Sequence, residues 1–489
     1  MFHLSDIRKF ERCEKLLYLK VHKPLPFSLF MACHENIVEL GIRYFGLDVF
    51  FLGETGDSMD RVLSAWNDFD VFVNARFSYD ELRVTISFLF KKTDGTVKVV
   101  FASKQRYPKE SEAQQYADSV WVLRQAGLRV DEAMILHLNE HYVRSKELDV
   151  FELLLLSDHL YNERNHAHGF LMQLIEEKQR DLNLVLQRMK AVVEGDYERC
   201  IRRPICTHRG KCDYFSECFG EDPVDSIFHL TQAKEKYELA NKGIVSLSMI
   251  DGDMLELSRH QYAQVMAAKS DDGWFYDMGA IGHWLQQLSF PLSYLDFEWE
   301  TYVYPPYERM KPYDVMCFQY SLHVEEKLNG ELIHEQFIGE GDCRIAFIES
   351  LIEKIPKEGS IVVFNALGGE VLRLKQLAFQ FPHYQEQLQA IWERMVDLSL
   401  LFSSGNIYHV SMAGGYSLKR LVKVFGDFDY HDLDVSDGME AVEQWRLLGK
   451  EGVDRELILK QLYDYCGMDT LAMVIVLHRL FECQEKGSF

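Results

Sequence analysis

Long apolar runs are absent from this chain of 489 residues. The strongest candidates, residues 151–156 and 472–477, are soon broken by charge and fall far short of the roughly 18 residues that a membrane-spanning helix requires, so no membrane partner is expected. A signal-peptide core is also missing. Residues 1–19 interleave Asp6, Arg8, Lys9, Glu11 and Arg12 with apolar residues, and a cytoplasmic location is expected. An excess of basic charge is lacking as well: Lys and Arg total 53 against 76 Asp and Glu, a net −23. That balance excludes a generally cationic surface, so any polyanion must be held locally. Proline is scarce, at 11, and with 47% hydrophobic and 26% charged residues the composition is that of a folding chain, not of a disordered or collagen-like one. No internal repeat or low-complexity tract is present.

At roughly 150 residues per domain the length argues for about three domains. Residues 83–91 and 97–104 read as strands joined through Thr93-Asp94-Gly95, and Asp-Gly between alternating runs signals a hairpin. Residues 147–195 read as helices, from the leucines at 153–156 and from Leu171, Leu174, Leu182 and Leu186. Glu221-Asp222-Pro223 marks a boundary, and residues 228–288 read as helical and connecting. From Pro291 the pattern becomes strand, loop, strand, helix, strand, helix, ending in an amphipathic helix at about 454–480, which is an α/β domain.

In Tyr294-Leu295-Asp296-Phe297-Glu298-Trp299 a period of two puts Leu295, Phe297 and Trp299 on one face and Asp296 with Glu298 on the other. Buried carboxylates need cations, and hard ions such as Mg²⁺ or Mn²⁺ accept carboxylate oxygens. An edge strand with a solvated acidic face is the alternative. On the last helix Asp469 sits within an apolar stripe of Leu462, Cys466, Met473, Val476 and Leu477, with Tyr465 one turn earlier. Such an acid is either salt-bridged or a metal ligand beside a phenol that positions water.

Asp296-x-Glu298, an Asn-containing central motif with an acid, and Tyr465-x-x-x-Asp469 resemble the DEDDy branch of the DnaQ-like 3′ to 5′ exonucleases. Phe318-Gln319-Tyr320-Ser321-Leu322-His323, Gly415-Tyr416-Ser417-Leu418-Lys419 and Tyr465-Cys466-x-x-Asp469-Thr470-x-Ala472-Met473 are similar to a bacterial family that fuses a RecB-like, PD-(D/E)XK-type domain to this exonuclease fold. The resemblance implies an α/β protein in which a degenerate RecB-like α+β domain with a cysteine cluster (1–222) and a helical connector (223–289) precede a ribonuclease H-like DEDDy exonuclease domain (290–489). The family's central motif is approximately Tyr-Asn-x-x-Phe-Glu. Here Val363-Phe364-Asn365-Ala366-Leu367-Gly368-Gly369-Glu370 reaches its acid one residue late. Glu370 is the candidate third carboxylate, and Asp397 is either a fallback ligand or a turn residue. The implied activity is two-metal hydrolysis of a phosphodiester with Mg²⁺ or Mn²⁺, single-stranded DNA being favoured and RNA open. Asp296 would bridge both metals, Glu298 and Asp469 would complete the site at the attacking water, Glu370 would support the second metal, and Tyr465 would orient the water.

Ten cysteines in a cytosolic chain are thiols or metal ligands. Cys206-x5-Cys212-x5-Cys218, with Cys13 far upstream, resembles the iron-sulfur staple of RecB-like nucleases. Four thiolates suit a [4Fe-4S] cluster or tetrahedral zinc, with no metal as the third option. A nuclease site in the first domain would need an Asp on one strand and Glu-x-Lys on the next. Ser87 and Ala102-Ser103-Lys104 stand there instead, with His34 as a stand-in for a helical histidine. Unless Asp80 or Glu81 restores it, that site reads as inactive. Arg199, Arg202, Arg203, Arg209 and Lys211, interleaved with Tyr197, Tyr214 and Phe215, either contact nucleic acid, as Lys104 would, or offset cluster thiolates and neighbouring acids. The rival to the exonuclease is a catalytically inactive nucleic-acid-binding or scaffold protein built from decayed nuclease domains.

Overall fold

The computed structural model describes residues 1–25, 35–195, 200–208, 210–426, 435 and 437–488. They form two compact units, Met1–Ile201 with Tyr302–Asp314, and Arg202–Thr301 with Val315–Phe489. Both combine helices with mixed sheets, so the α/β class holds for the chain. Among the described residues no helix is long and apolar enough to cross a membrane.

The sheet of the first unit runs Phe51–Leu52, Val71–Tyr79, Leu82–Lys91, Val97–Ala102, Val130–Leu138, Leu154–Ser157, with Phe2–His3 pairing onto Leu82–Arg83. The expected hairpin is present: Phe88 pairs with Val100 and Lys91 with Val97 in antiparallel register. Asp94 Oδ1 accepts from the Thr96 amide at 2.9 Å, and Gly95 takes a φ of 77°, the left-handed conformation that glycine adopts without a Cβ clash. The stretch 147–195 differs from expectation. Residues 154–157, 159–161 and 167–170 are strands, and the helices are confined to Val150–Leu153, Leu171–Glu177 and Leu182–Glu194. Leucine is compatible with either state, and here pairing to Ile135–Leu138 decides the matter. Helix Ala113–Gln125 buries Tyr116, Val120, Trp121 and Leu123 in the apolar core of this unit. The segment Tyr302–Asp314 belongs to the same unit: Val303 and Tyr304 are buried with Val73 and Leu136, and the Arg144 side chain donates to Pro305 O at 2.8 Å.

The second unit holds a five-stranded sheet ordered Leu332–Ile338, Val315–Glu325, Leu292–Thr301, Ile361–Val363, Met395–Asp397. Val315–Glu325 is antiparallel to both of its neighbours, and the last two strands run parallel to Leu292–Thr301. Strand Leu292–Thr301 is thus central, which removes the edge-strand alternative. Leu295 and Phe297 bury on one face among Phe347, Leu351, Leu374 and Leu377, from helices Arg344–Lys354 and Glu370–Gln380. On the other face Leu292 and Tyr294 join Leu462, Tyr465, Ala472 and Met473 of the terminal helix, Arg455–Lys486. Asp454 caps that helix by accepting from the Leu457 amide at 3.1 Å. Residues 223–289 lie in this unit and are less helical than expected: helices Lys236–Asn241, Arg259–Lys269 and Met278–Leu285 are separated by short turns and loops, with one short strand, Trp274–Tyr276, and a small core of Ile227, Leu230, Leu247 and Ile250.

Candidate metal centre

Alternation along Leu292–Thr301 aims Asp296 and Glu298 at the side of the sheet that the terminal helix covers. One carboxylate oxygen from each, together with one from Asp469 of that helix, lies within 4.8 Å of the others. Glu298 is 9% exposed and Asp469 8%, while Asp296 keeps a partly open edge. At that separation two ionised carboxylates repel by about 3 kcal/mol at an effective dielectric of about 20. Burial, followed by the charge of Asp469, holds the Asp296 carboxyl well above the usual range, and the same two causes in the same order raise Glu298. Among the described residues this is the one gathering of three or more such ligand groups within that distance. Three mutually repelling, oxygen-bearing groups in a shielded place fit a hard divalent cation, which would replace their shared protons.

Glu370 opens helix Glu370–Gln380 and is 2% exposed. The turn before it is tight. Asn365 takes a φ of 69°, its carbonyl accepts from the Gly369 amide at 2.9 Å, and a Cβ on Gly368 would lie 2.9 Å from Asn365 Nδ2. A Cβ at that position would push the Asn365 amide aside. Glu370 Oε2 is buried with no hydrogen-bond partner, and burial raises the carboxyl to about 8. Its charge acts on both Asp296 and Glu298, although it stands outside the close trio. Asp397 serves the turn: its oxygens accept from the amides of Asn365, Ala366 and Ser399 at 2.9, 3.0 and 2.9 Å. Three of its acceptor sites are thereby taken by backbone amides, which accords with the turn reading.

Tyr465 is 5% exposed, and its phenol is pushed up first by burial and then by Asp469, Glu298 and Asp296, which places it beside all three acids. Several neighbours have no part in the motif arithmetic. Cys466 Sγ donates to Asp296 Oδ2 at 3.6 Å, Lys419 Nζ lies 5.3 Å from the Tyr465 ring centroid, and Asp437 adds its charge to Glu298. Cys466 and Lys419 fall inside sequence motifs that already stood out, whereas Asp437, the N-cap of helix Gly438–Leu447, carried no sequence signal. Beneath Asp469, Thr470 Oγ1 meets Ser321 Oγ and His323 Nδ1 at 2.7 Å each, fixing the rotation of the helix against the sheet. The histidine of Phe318-x4-His323 thus acts through packing.

The cysteine candidates are shared between the two units. Cys13 lies between helices Leu4–Arg12 and Glu14–His22 of the first unit. Cys206, Cys212 and Cys218 lie in the second unit, joined locally by a Cys212 amide to Cys206 carbonyl bond of 2.9 Å. Arg202 makes internal contacts: it pairs with Asp222 at 2.6 Å and sits 3.7 Å over the Phe228 ring. Arg203, Lys211 and Lys104 are exposed. Arg209, Arg199, Tyr197 and His34 lie outside the described residues. In the first unit Ser87 Oγ accepts from the Ala102 amide at 3.1 Å, while Asp80 and Glu81 pair with Lys190 at 3.2 and 3.0 Å.

Residues 293–417 match a family described as a domain of unknown function (DUF2779). The matched span includes Asp296, Glu298 and Glu370 and stops before Tyr465 and Asp469. No curated protein and no solved structure is matched.

Proposed function

We propose that the chain is a metal-dependent 3′ to 5′ exonuclease of the DEDDy type, acting on single-stranded DNA, with RNA as the other candidate substrate. The observation that carries this reading is the trio of Asp296, Glu298 and Asp469 on the central strand and the covering helix. The strand order and senses of the five-stranded sheet accord with a ribonuclease H-like domain, and the degenerate RecB-like reading of the first unit accords with Ser87 and Ala102 at its hairpin. Asp296, Glu298 and Asp469 would hold Mg²⁺ or Mn²⁺, with Glu370 supporting from the helix start. When bound, the metal supplies Lewis-acid activation of water and of the scissile phosphate. Tyr465 holds a water through its hydroxyl. Burial keeps the phenol protonated, so it donates, and the carboxylates accept. Lys419, above that ring, adds a positive charge on the side where a phosphate would arrive.

The test is nucleotide release from a 3′-labelled single strand of DNA or RNA with either metal. Asp296→Asn and Asp469→Asn each lower cleavage by about two orders of magnitude or more while the fold survives, and Tyr465→Phe costs less. Wild-type protein that cleaves neither strand, or cleavage that persists in Asp296→Asn, leaves the inactive binding protein as the better reading. For the cysteines, an iron-sulfur cluster is proposed, with zinc as the alternative. Anaerobically purified protein should be brown with absorbance near about 400 nm, and Cys206→Ser should lose iron. Colourless protein holding zinc overturns the iron assignment.

A further inference from the structure

Part of the surface between helix Arg455–Lys486 and the five-stranded sheet is polar, although it is buried. In the antiparallel register Gln319 stands opposite Glu298 and Ser321 opposite Asp296, and on the next strand Gln336 stands opposite Ser321. Gln319 and Ser321 are buried. Gln319 Nε2 donates to Leu462 O at 2.7 Å, and Gln336 Nε2 donates to Tyr463 O at 2.9 Å. Both carbonyls lie within the helix and face the amides four residues on, so the glutamine bonds are additional to the helical ladder. A second hold follows at Thr470, which bonds Ser321 Oγ at 2.7 Å. Tyr465, Cys466 and Asp469 all lie between these two holds.

Gly467 fits the same arrangement. Glycine is a poor residue inside a helix, but a Cβ here would lie 2.8 Å from Gln336 Nε2 and 3.0 Å from His334 Cε1. The His334 ring is itself held, stacked on His323 at 3.9 Å and bonded through Nε2 to Ser321 Oγ at 2.9 Å. Room for a methyl group at 467 therefore comes from breaking the Gln336 bond or from lifting the helix, and either change loosens the hold. Gln319 also carries a cost, because its Oε1 is buried without a partner. An apolar side chain of the same length would avoid that cost. Stability alone would favour an apolar layer; what the polar one adds is a single depth and axial position for the helix.

Depth matters because Asp469 is the member of the trio that the helix carries, while the strand carries Asp296 and Glu298. Mg²⁺ demands near-ideal octahedral oxygens at roughly 2.0–2.1 Å, whereas Ca²⁺ accepts looser geometry at roughly 2.3–2.6 Å, so the gap between helix and strand decides which ion fits. We propose that Gln319, Gln336 and Gly467 are positioning residues that keep this gap narrow and thereby set the selectivity of the centre for a small divalent ion. The inference rests on the reading of the trio as a metal site, and it gives a role to residues that touch neither metal nor substrate.

Calorimetric titration of the metal-free full chain with Mg²⁺ and with Ca²⁺ tests this, since a merely structural role lowers both affinities alike. Gln319→Met and Gln336→Met keep side-chain length and remove the donor, and Gly467→Ala adds the methyl group. Each weakens Mg²⁺ at least about tenfold, as is typical when a group supporting a metal ligand is removed, and weakens Ca²⁺ less. The melting temperature of Gln319→Met in EDTA stays at or above that of the wild type. Gln336 is only half-buried, on an edge strand, so Gln336→Met remains informative if a change at 319 or 467 fails to fold. A ratio of Mg²⁺ to Ca²⁺ affinity unchanged in folded variants overturns the positioning role and leaves the metal centre standing. Wild-type protein that binds neither ion, or Asp296→Asn that binds both as the wild type does, removes the metal centre and this proposal with it.

Discussion

At Glu370 a carboxyl that is 2% exposed, and raised to about 8, begins a helix with one oxygen lacking a partner. Its ordinary value is 4.5, so the folded protein binds a proton that the unfolded chain releases between pH 4.5 and 8. The stability tied to that proton is complete below the unfolded value and is lost as pH rises through the folded one. Asp296 and Glu298 are shifted the same way, so metal-free protein loses stability as the solution passes from acid to mildly alkaline. Divalent metal reverses the trend by replacing those protons, and its binding should release them. We expect Mn²⁺ to bind more tightly at pH 8 than at pH 6, with proton release visible as a buffer-dependent heat. Glu370→Gln should stabilise the metal-free protein at pH 8 by about 1–3 kcal/mol while weakening metal binding, because a neutral amide carries no buried charge. A melting temperature of metal-free Glu370→Gln that follows the wild-type pH curve would sink the assignment.

Between strand and helix, the start of the carboxylate strand and its end are stabilised differently. Glu300 continues the acidic face of Leu292–Thr301 but is answered by Arg446 of helix Gly438–Leu447, through contacts of 2.5 and 3.0 Å. Next to it Trp445 stacks on Phe318 at 4.6 Å and donates to Gly339 O at 2.8 Å, so the helix is clamped over the sheet. Arg446→Ala leaves Glu300 buried and unpaired, and should cost about 3–5 kcal/mol; the double change Glu300→Leu with Arg446→Met should recover most of that. Denaturant titrations of the three proteins check it, and equal losses in the single and double variants would contradict it. The same comparison shows what the sequence conveys. Two carboxylates on alternate residues and a Tyr-x-x-x-Asp on an apolar stripe could be read directly, because their spacing is the period of the element. The role of Glu300 could not, since its partner comes 146 residues later. Strand Val71–Tyr79 was equally hidden: Asn74 takes a φ of 51° and breaks the alternation that would have revealed it. The hairpin at Asp94-Gly95 and the terminal helix were legible because a turn residue and a capping Asp454 mark them locally.

Over the whole molecule, each unit buries its own apolar core, one around Phe72, Phe77 and Trp121 and the other around Tyr294, Phe402 and Leu477. A ligand of one unit should therefore act on one part of an unfolding trace. A ligand that binds only the folded form adds about 2.7 kcal/mol at a hundredfold excess over its dissociation constant, which moves a melting transition by about 5 °C or more for units of this size. Mn²⁺ should raise the transition of the unit that carries Asp296, Glu298 and Asp469. Scanning calorimetry of the full chain with and without Mn²⁺ checks this. Asp296→Asn should erase the metal shift and leave the transition of the other unit in place. A metal shift that survives Asp296→Asn would move the divalent site elsewhere in the chain, and with it the chemistry assigned to the carboxylate trio.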